Sequence, residues 1–149
     1  MACSEPLRFV TNSPRETQAL AARLGEKLKG GEVLAFTGGM GMGKTAFTRG
    51  LMEGLGGGGE VSSPTFAIVN EYQGRLTVDH FDMYRISGWE DLYSTGFFDY
   101  LEDPGRVLVI EWSENIEGAL PEDAVRIHIA PGEGETQRVI PLQGWKGEL

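Results

Sequence analysis

Residues Gly38 to Thr45 read GGMGMGKT and satisfy the pattern G-x-x-x-x-G-K-[ST]. The chemistry this spacing suits is phosphate binding. Glycines let successive backbone N–H groups turn inward toward phosphate oxygens, and a helix starting at the end of the loop adds its partial positive charge. Gly38, Gly39, Met40, Gly41, Met42 and Gly43 would form the cradle, with Ala46 one residue beyond Thr45. Lys44 reaches the β and γ phosphates, and the Thr45 hydroxyl is placed to ligate a Mg²⁺ ion that bridges them.

Such an ion needs further oxygen ligands, commonly a carboxylate at the end of a neighbouring strand. Glu111 closes the aliphatic run in RVLVIEW and is the first candidate. Asp82 in HFDMYR is the second, either as a metal ligand through water or as the group that positions an attacking water. The alternatives are a solvated strand end for Glu111 and a salt bridge to Arg85 for Asp82. For His80 a packed structural role and a catalytic one both stand. Upstream, SSPTF carries Ser63 and Thr65 around Pro64, where nucleotide-sensing switches sit in many such proteins; an ordinary turn is the alternative. Trp112 lies either against the nucleotide or in the core.

These residues need elements to hold them. Ser13, Pro14 and Glu16 form a helix start with a capping box, and Leu20, Leu24 and Leu28 then fall on one helical face that Gly30 and Gly31 end. The segment Glu32 to Thr37 is an apolar run of the kind that makes a strand buried on both faces. Phe47, Leu51 and Leu55 predict a helix over Lys44 to Leu55, so the glycine loop has the strand before it and the helix after it that the motif requires. Gly56 to Gly59 read as a flexible break. TFAIVNEY and LTVDHF predict a hairpin turning at Gly74, with Val78, His80 and Asp82 facing one way. Short helices are expected over Trp89 to Tyr93 and Phe97 to Leu101, a buried strand over Val107 to Ile110, and a terminal strand pair from VRIHI and RVIPL. The fold class is α/β, a P-loop-type three-layer fold with a mixed central sheet flanked by helices, in a single domain over residues 1–149.

Composition narrows the use of such a loop. With 40% apolar and 23% charged residues and no long apolar run, the chain reads as globular, and its N-terminus has no signal-peptide pattern, so a cytoplasmic location is expected. One cysteine, Cys3, excludes an internal disulfide, and two histidines make no zinc-type cluster. A net charge of -9 argues against a surface that holds a nucleic-acid backbone alone, so any RNA link runs through a partner. No N-K-x-D guanine-reading sequence is present, which favours ATP. A small-molecule kinase is the competing reading, but after Glu111 the only arginines are Arg126 and Arg138, both in expected strands rather than in a lid. A purely nucleotide-dependent binding module is a third.

Several segments together resemble one family, the TsaE (YjeE) ATPases of bacterial threonylcarbamoyladenosine (t6A) tRNA modification. They are SPRETQALAARLG, TGGMGMGKTAFTRGLMEGLG, SSPTFAIVNEY, HFDMYR and VIEWSENI, in that order, across most of residues 11 to 117. The resemblance implies a small ATPase that works with TsaD and TsaB proteins and meets tRNA through that complex, ATP hydrolysis resetting the complex between cycles. It implies that Lys44 and the loop bind phosphates, that Thr45 and Glu111 serve Mg²⁺, and that Asp82 supports hydrolysis. It further makes Thr65 a switch residue and sets Thr17, Trp112 and Arg138 near the nucleotide. One departure is visible: Gly39 stands where the family usually has an acidic residue.

Overall fold

The computed structural model describes residues 7–37, 43–57, 69–145 and 149. Its frame is one eight-stranded sheet with strands β1 (Leu7–Thr11), β2 (Val33–Phe36), β3 (Val69–Gln73), β4 (Thr77–Asp82), β5 (Arg106–Glu111), β6 (Val125–Ile127), β7 (Ala130–Pro131) and β8 (Arg138–Gln143). The order across it is β1-β8-β6-β2-β5-β4-β3, with β7 pairing β8. The inner strands β6, β2, β5 and β4 are parallel to one another. The flanks are antiparallel, β3 on β4 at one side and β8 then β1 at the other. The sheet is therefore mixed, as expected.

Alternation along the strands sends side chains to two separate cores. Leu34 and Phe36 of β2, Val107 and Val109 of β5, and Val78 of β4 pack with Leu20, Leu24, Phe47 and Leu51 of the helices α1 (Pro14–Lys27) and α2 (Lys44–Gly54). Val33, Leu108, Ile110 and Phe81 point the other way, onto Leu92 and Phe97 of the short helices α3 (Trp89–Ser94) and α4 (Phe97–Leu101) and onto Ile116 of the 3-10 helix Ser113–Ala119. Three layers result. By the same parity His80 and Asp82 follow Val78, and Glu111 follows Val109, onto the α1/α2 side of the sheet.

The capping box forms with a shift of one residue. The Glu16 backbone N–H donates to Ser13 Oγ at 3.1 Å, while the Glu16 carboxylate accepts from the backbone of Asn12, the residue before the cap. Helix α1 ends at Lys27, earlier than Gly30 suggests, because Arg75 from the β3–β4 turn reaches over and donates to the carbonyls of Leu28 and Gly25 at 2.9 and 3.0 Å. A guanidinium at a helix C-terminus satisfies carbonyls that have no helical partner. Gly30 and Gly31 then turn the chain into β2 with φ of 107° and 88°. Strand β1, which the sequence reading did not anticipate, pairs along all of its length with β8.

Candidate functional site

Two parallel strands deliver the carboxylates. Asp82 and Glu111 are register partners at the C-terminal ends of β4 and β5, and the Met83 N–H donates to the Glu111 carbonyl at 3.0 Å to close the ladder. Ligands in open α/β sheets bind at this end of the strands. The neighbouring strand β2 runs out at the same edge into the glycine loop. Gly38 to Met42 and Thr65 lie outside the described residues, and the described chain resumes at Gly43, with φ 94°, a left-handed value suited to glycine.

Lys44 is the first residue of α2 and is 4% exposed. Burial holds its ammonium below the ordinary lysine value, while the charges of Glu111, Glu114 and Asp82 oppose that shift. A buried cation thus stands among three carboxylates. Glu114 was not anticipated; its position three residues after Glu111, in a tight polar turn, was the available signal.

Glu111 is 2% exposed and accepts or shares a hydrogen bond with His80 at 2.8 Å between Oε2 and Nε2. Its other oxygen, Oε1, is buried without a hydrogen-bond partner among the described residues, as is His80 Nδ1. A buried carboxylate oxygen left open beside a lysine ammonium is a group in want of a cation or a water. Asp82 is half-buried; its Oδ1 accepts from the Tyr84 backbone at 3.0 Å. Among the described residues no ion pair joins it to Arg85. The salt-bridge alternative is not what the fold adopts.

The other residues gather a short way off. A cleft of about 240 Å³ is lined by Thr17, Gly43, Thr45, Ala46 and Arg138, together with Pro14 and Thr136. Thr17 comes from α1, its hydroxyl 2.6 Å from that of Thr11. Arg138 opens β8 and is steered by donating to the carbonyls of Glu135 and Gln137 at 2.8 and 2.9 Å. Thr136 donates to the Asn12 carbonyl at 2.7 Å, which ties the β7–β8 loop to the start of α1. Thr45 belongs to this cleft and Lys44 to the carboxylate group, so the first turn of α2 joins the two halves.

Trp112 does not line the cleft. It adopts φ 59°, ψ 40° and stacks at a tilt on Tyr84, ring centroids 4.8 Å apart, beside the core under α3 and α4. A tryptophan in the left-handed region carries strain of about 1–2 kcal/mol, held by its surroundings. It marks the chain's sharp turn out of β5 directly after Glu111.

Among the described residues no group of three or more acidic, histidine or cysteine side chains is arranged to hold a metal by itself. Glu111 and Asp82 at the strand ends and Thr45 in the first turn of α2 are the candidate oxygen donors, and a Mg²⁺ ion that takes most of its ligands from water and phosphate needs no more than one or two of them. The residues present fit that ion through the open Oε1 of Glu111.

A three-layer α/β fold whose first buried strand leads through a glycine loop into a helix opening with Lys44-Thr45 defines a protein of the P-loop class. A family-wide sequence profile, that of "Threonylcarbamoyl adenosine biosynthesis protein TsaE", matches residues 11–140. The chain belongs to the TsaE family. The Treponema pallidum protein named tRNA threonylcarbamoyladenosine biosynthesis protein TsaE is 38% identical over 123 residues, covering 83% of this chain and 90% of the relative. The Bacillus subtilis protein of the same name is 38% identical over 145 residues, 96% of this chain and 90% of the relative. The crystal structure of YdiB from Bacillus subtilis superposes with a TM-score of 0.72 at 33% identity, over 95% of this chain and 87% of that one.

Proposed function

We propose that this chain is a Mg²⁺-dependent ATPase subunit that acts with TsaD and TsaB proteins in t6A modification of tRNA, hydrolysis resetting the complex between cycles. The observation that carries the reading is the buried Lys44 at the head of α2, facing Glu111 and Asp82 at the ends of adjacent parallel strands. Membership of a family named for threonylcarbamoyladenosine biosynthesis supplies the pathway.

The chain's own groups divide the work. Lys44 draws the β and γ phosphates to the N-terminus of α2, where backbone N–H groups favour anions. Thr17, Thr45, Ala46, Thr136 and Arg138 border the adjoining cleft and hold the rest of the nucleotide. Thr45 Oγ1 and Glu111 would hold Mg²⁺, which supplies charge neutralisation at the phosphates when bound. Asp82 stands at the edge of the site, more exposed than Glu111, and orients the attacking water. Hydrolysis so organised is mainly positioning and electrostatics, with no covalent step for the protein.

The test is ATP turnover measured with and without the TsaD and TsaB proteins. The expected result is stimulation by the partners that Glu111→Ala and Asp82→Ala each reduce at least 100-fold without loss of fold, as judged by circular dichroism. Undiminished turnover in both variants would sink the site assignment. A partner mixture that leaves turnover unchanged would sink the ATPase role within that complex.

A further inference from the structure

The acidic surplus is not spread over the chain. Residues 84–123 hold ten acidic side chains against two basic ones, -8 of the total -9, while the other 109 residues are nearly balanced. Among the described residues the same segment carries the exposed large aromatics. Tyr84, Trp89 and Tyr93 are 59%, 57% and 66% exposed. Trp89 stacks nearly parallel on Phe98, centroids 6.1 Å apart, and Tyr93 leans on the same ring at 4.8 Å, so the aromatics form a continuous shelf rather than isolated surface residues. Beside the shelf lies a cavity of about 310 Å³ with Ile86, Leu92 and Ile116 as its apolar floor, Trp89 and Asn115 in its walls and Glu117 at its rim. Solvent-exposed tryptophan and tyrosine around an apolar pocket, bordered by Glu90, Asp91, Asp99, Glu114 and Glu117 against Arg85 and the Arg126 that pairs with Glu117, is the anatomy of a protein interface centre with an acidic rim.

We propose that this face, formed by Tyr84 to Leu101 with the 3-10 helix Ser113–Ala119, is the docking surface for the partner protein, and that the partner meets it with a basic surface. Arginine or lysine of the partner would lie against Trp89 and Tyr93, where a cation on an aromatic face gains further attraction, and an apolar side chain would enter the cavity. An RNA backbone is excluded from this face by its charge. The inference rests on the reading that the chain works within an assembly.

The face is wired to the carboxylates. Asn115, in the cavity wall, donates from its side-chain amide to the carbonyls of Met83 and Tyr84 at 2.9 and 3.3 Å. The Tyr84 N–H donates to Asp82, and the Tyr84 ring packs on Trp112, the residue after Glu111. A partner seated on Trp89 and Asn115 therefore bears directly on the backbone that carries Asp82 and Glu111. Stimulation of hydrolysis by the partner follows from where it sits.

The experiment measures association of the full-length chain with the purified TsaD–TsaB assembly by calorimetry, at salt concentrations from about 50 to 300 mM. Expected are a fall in affinity with salt for the unaltered chain, a loss of about 10- to 30-fold for Trp89→Ala or Tyr93→Ala, and a flatter salt response for the Glu90→Lys, Asp99→Lys double variant. ATP affinity of each isolated variant should match that of the unaltered chain. Association that both aromatic variants leave intact, or that salt does not touch, overturns the docking surface while the functional reading stands. Self-association abolished by Trp89→Ala, with assembly binding unchanged, would assign the face to a second copy and overturn the inference. Failure of the unaltered chain to bind the assembly would overturn the functional reading and this surface with it.

Discussion

At the scale of single residues the site is governed by two buried groups, His80 and Lys44. His80 fixes one oxygen of Glu111 at 2.8 Å and leaves Oε1 without a hydrogen-bond partner among the described residues, a positioning role that the sequence left undecided. His80→Ala removes that restraint and strands a buried carboxylate oxygen, so stability to urea should drop by about 1–3 kcal/mol. Stimulated turnover should fall more than ATP affinity, because a swinging Glu111 harms the transition state first; His80→Gln, which keeps a donor, should recover part of both. Lys44 gives a pH prediction. Its folded-state value lies below 10.5, so between that value and 10.5 the unfolded chain binds more protons, and stability of the free protein rises with pH through the window. Phosphates favour the ammonium form, so under the proposed function ATP binding should take up a proton in the same window and weaken as pH rises. Calorimetry in two buffers of different ionisation enthalpy checks this: binding heat independent of buffer throughout the approach to pH 10.5 would contradict it.

At the scale of elements the site depends on how closely α1 and α2 approach, since one brings Thr17 and the other Lys44 and Thr45. The approach is permitted by glycine. A Cβ on Gly50 would stand 2.1 Å from the Gln18 carbonyl oxygen, and one on Gly54 2.2 Å from that of Ala22. Gly50→Ala must push the helices apart and should destabilise the fold by about 1–3 kcal/mol, with a parallel loss of ATP affinity. Gly134→Ala, where an added Cβ meets nothing within 4 Å, should change stability by less than about 0.5 kcal/mol. Urea unfolding of both variants decides the matter, and equal effects would refute the packing argument. This scale also separates what the sequence could reveal from what it could not. The apolar period gave α2 almost to the residue, and strand parity put Val78, His80 and Asp82 on one side of β4, because both follow from local backbone geometry, whereas Glu111 joins them through the pairing of β4 with β5. Arg75 capping α1, β1 joining β8, and Thr136 bonding the Asn12 carbonyl are contacts between residues far apart in the chain, set by turns whose direction no local period encodes. Trp112 shows the same limit: Tyr84 is its neighbour because β4 and β5 pair side by side, which no local period encodes.

At the scale of the molecule the asymmetry of charge has a consequence for stability that is separate from any partner. Ten acidic side chains within forty residues repel one another, and among the described residues arginine ion pairs reach two of them: Arg106 holds Asp103, together with Asp79 of β4 and Glu71 of β3, at the far end of the sheet, and Arg126 holds Glu117. Glu90, Asp91, Asp99, Glu102, Glu122 and Asp123 are exposed charges whose repulsion the folded state concentrates and the unfolded chain relaxes. Salt shortens the reach of that repulsion to about 8–10 Å near physiological strength. The melting temperature of the free chain should therefore rise by a few degrees between about 10 and 150 mM sodium chloride, opposite to what a fold held by surface ion pairs would show. Replacing Glu90 and Glu102 by lysine should raise the low-salt melting temperature and flatten its dependence on salt, since it removes repulsion without touching either core. Scanning calorimetry of the two chains across that salt range is the measurement. A melting temperature that falls with salt would mean that attractive pairs such as Arg106–Asp79 outweigh the acidic face, and the surplus would then exert no net strain on the folded chain.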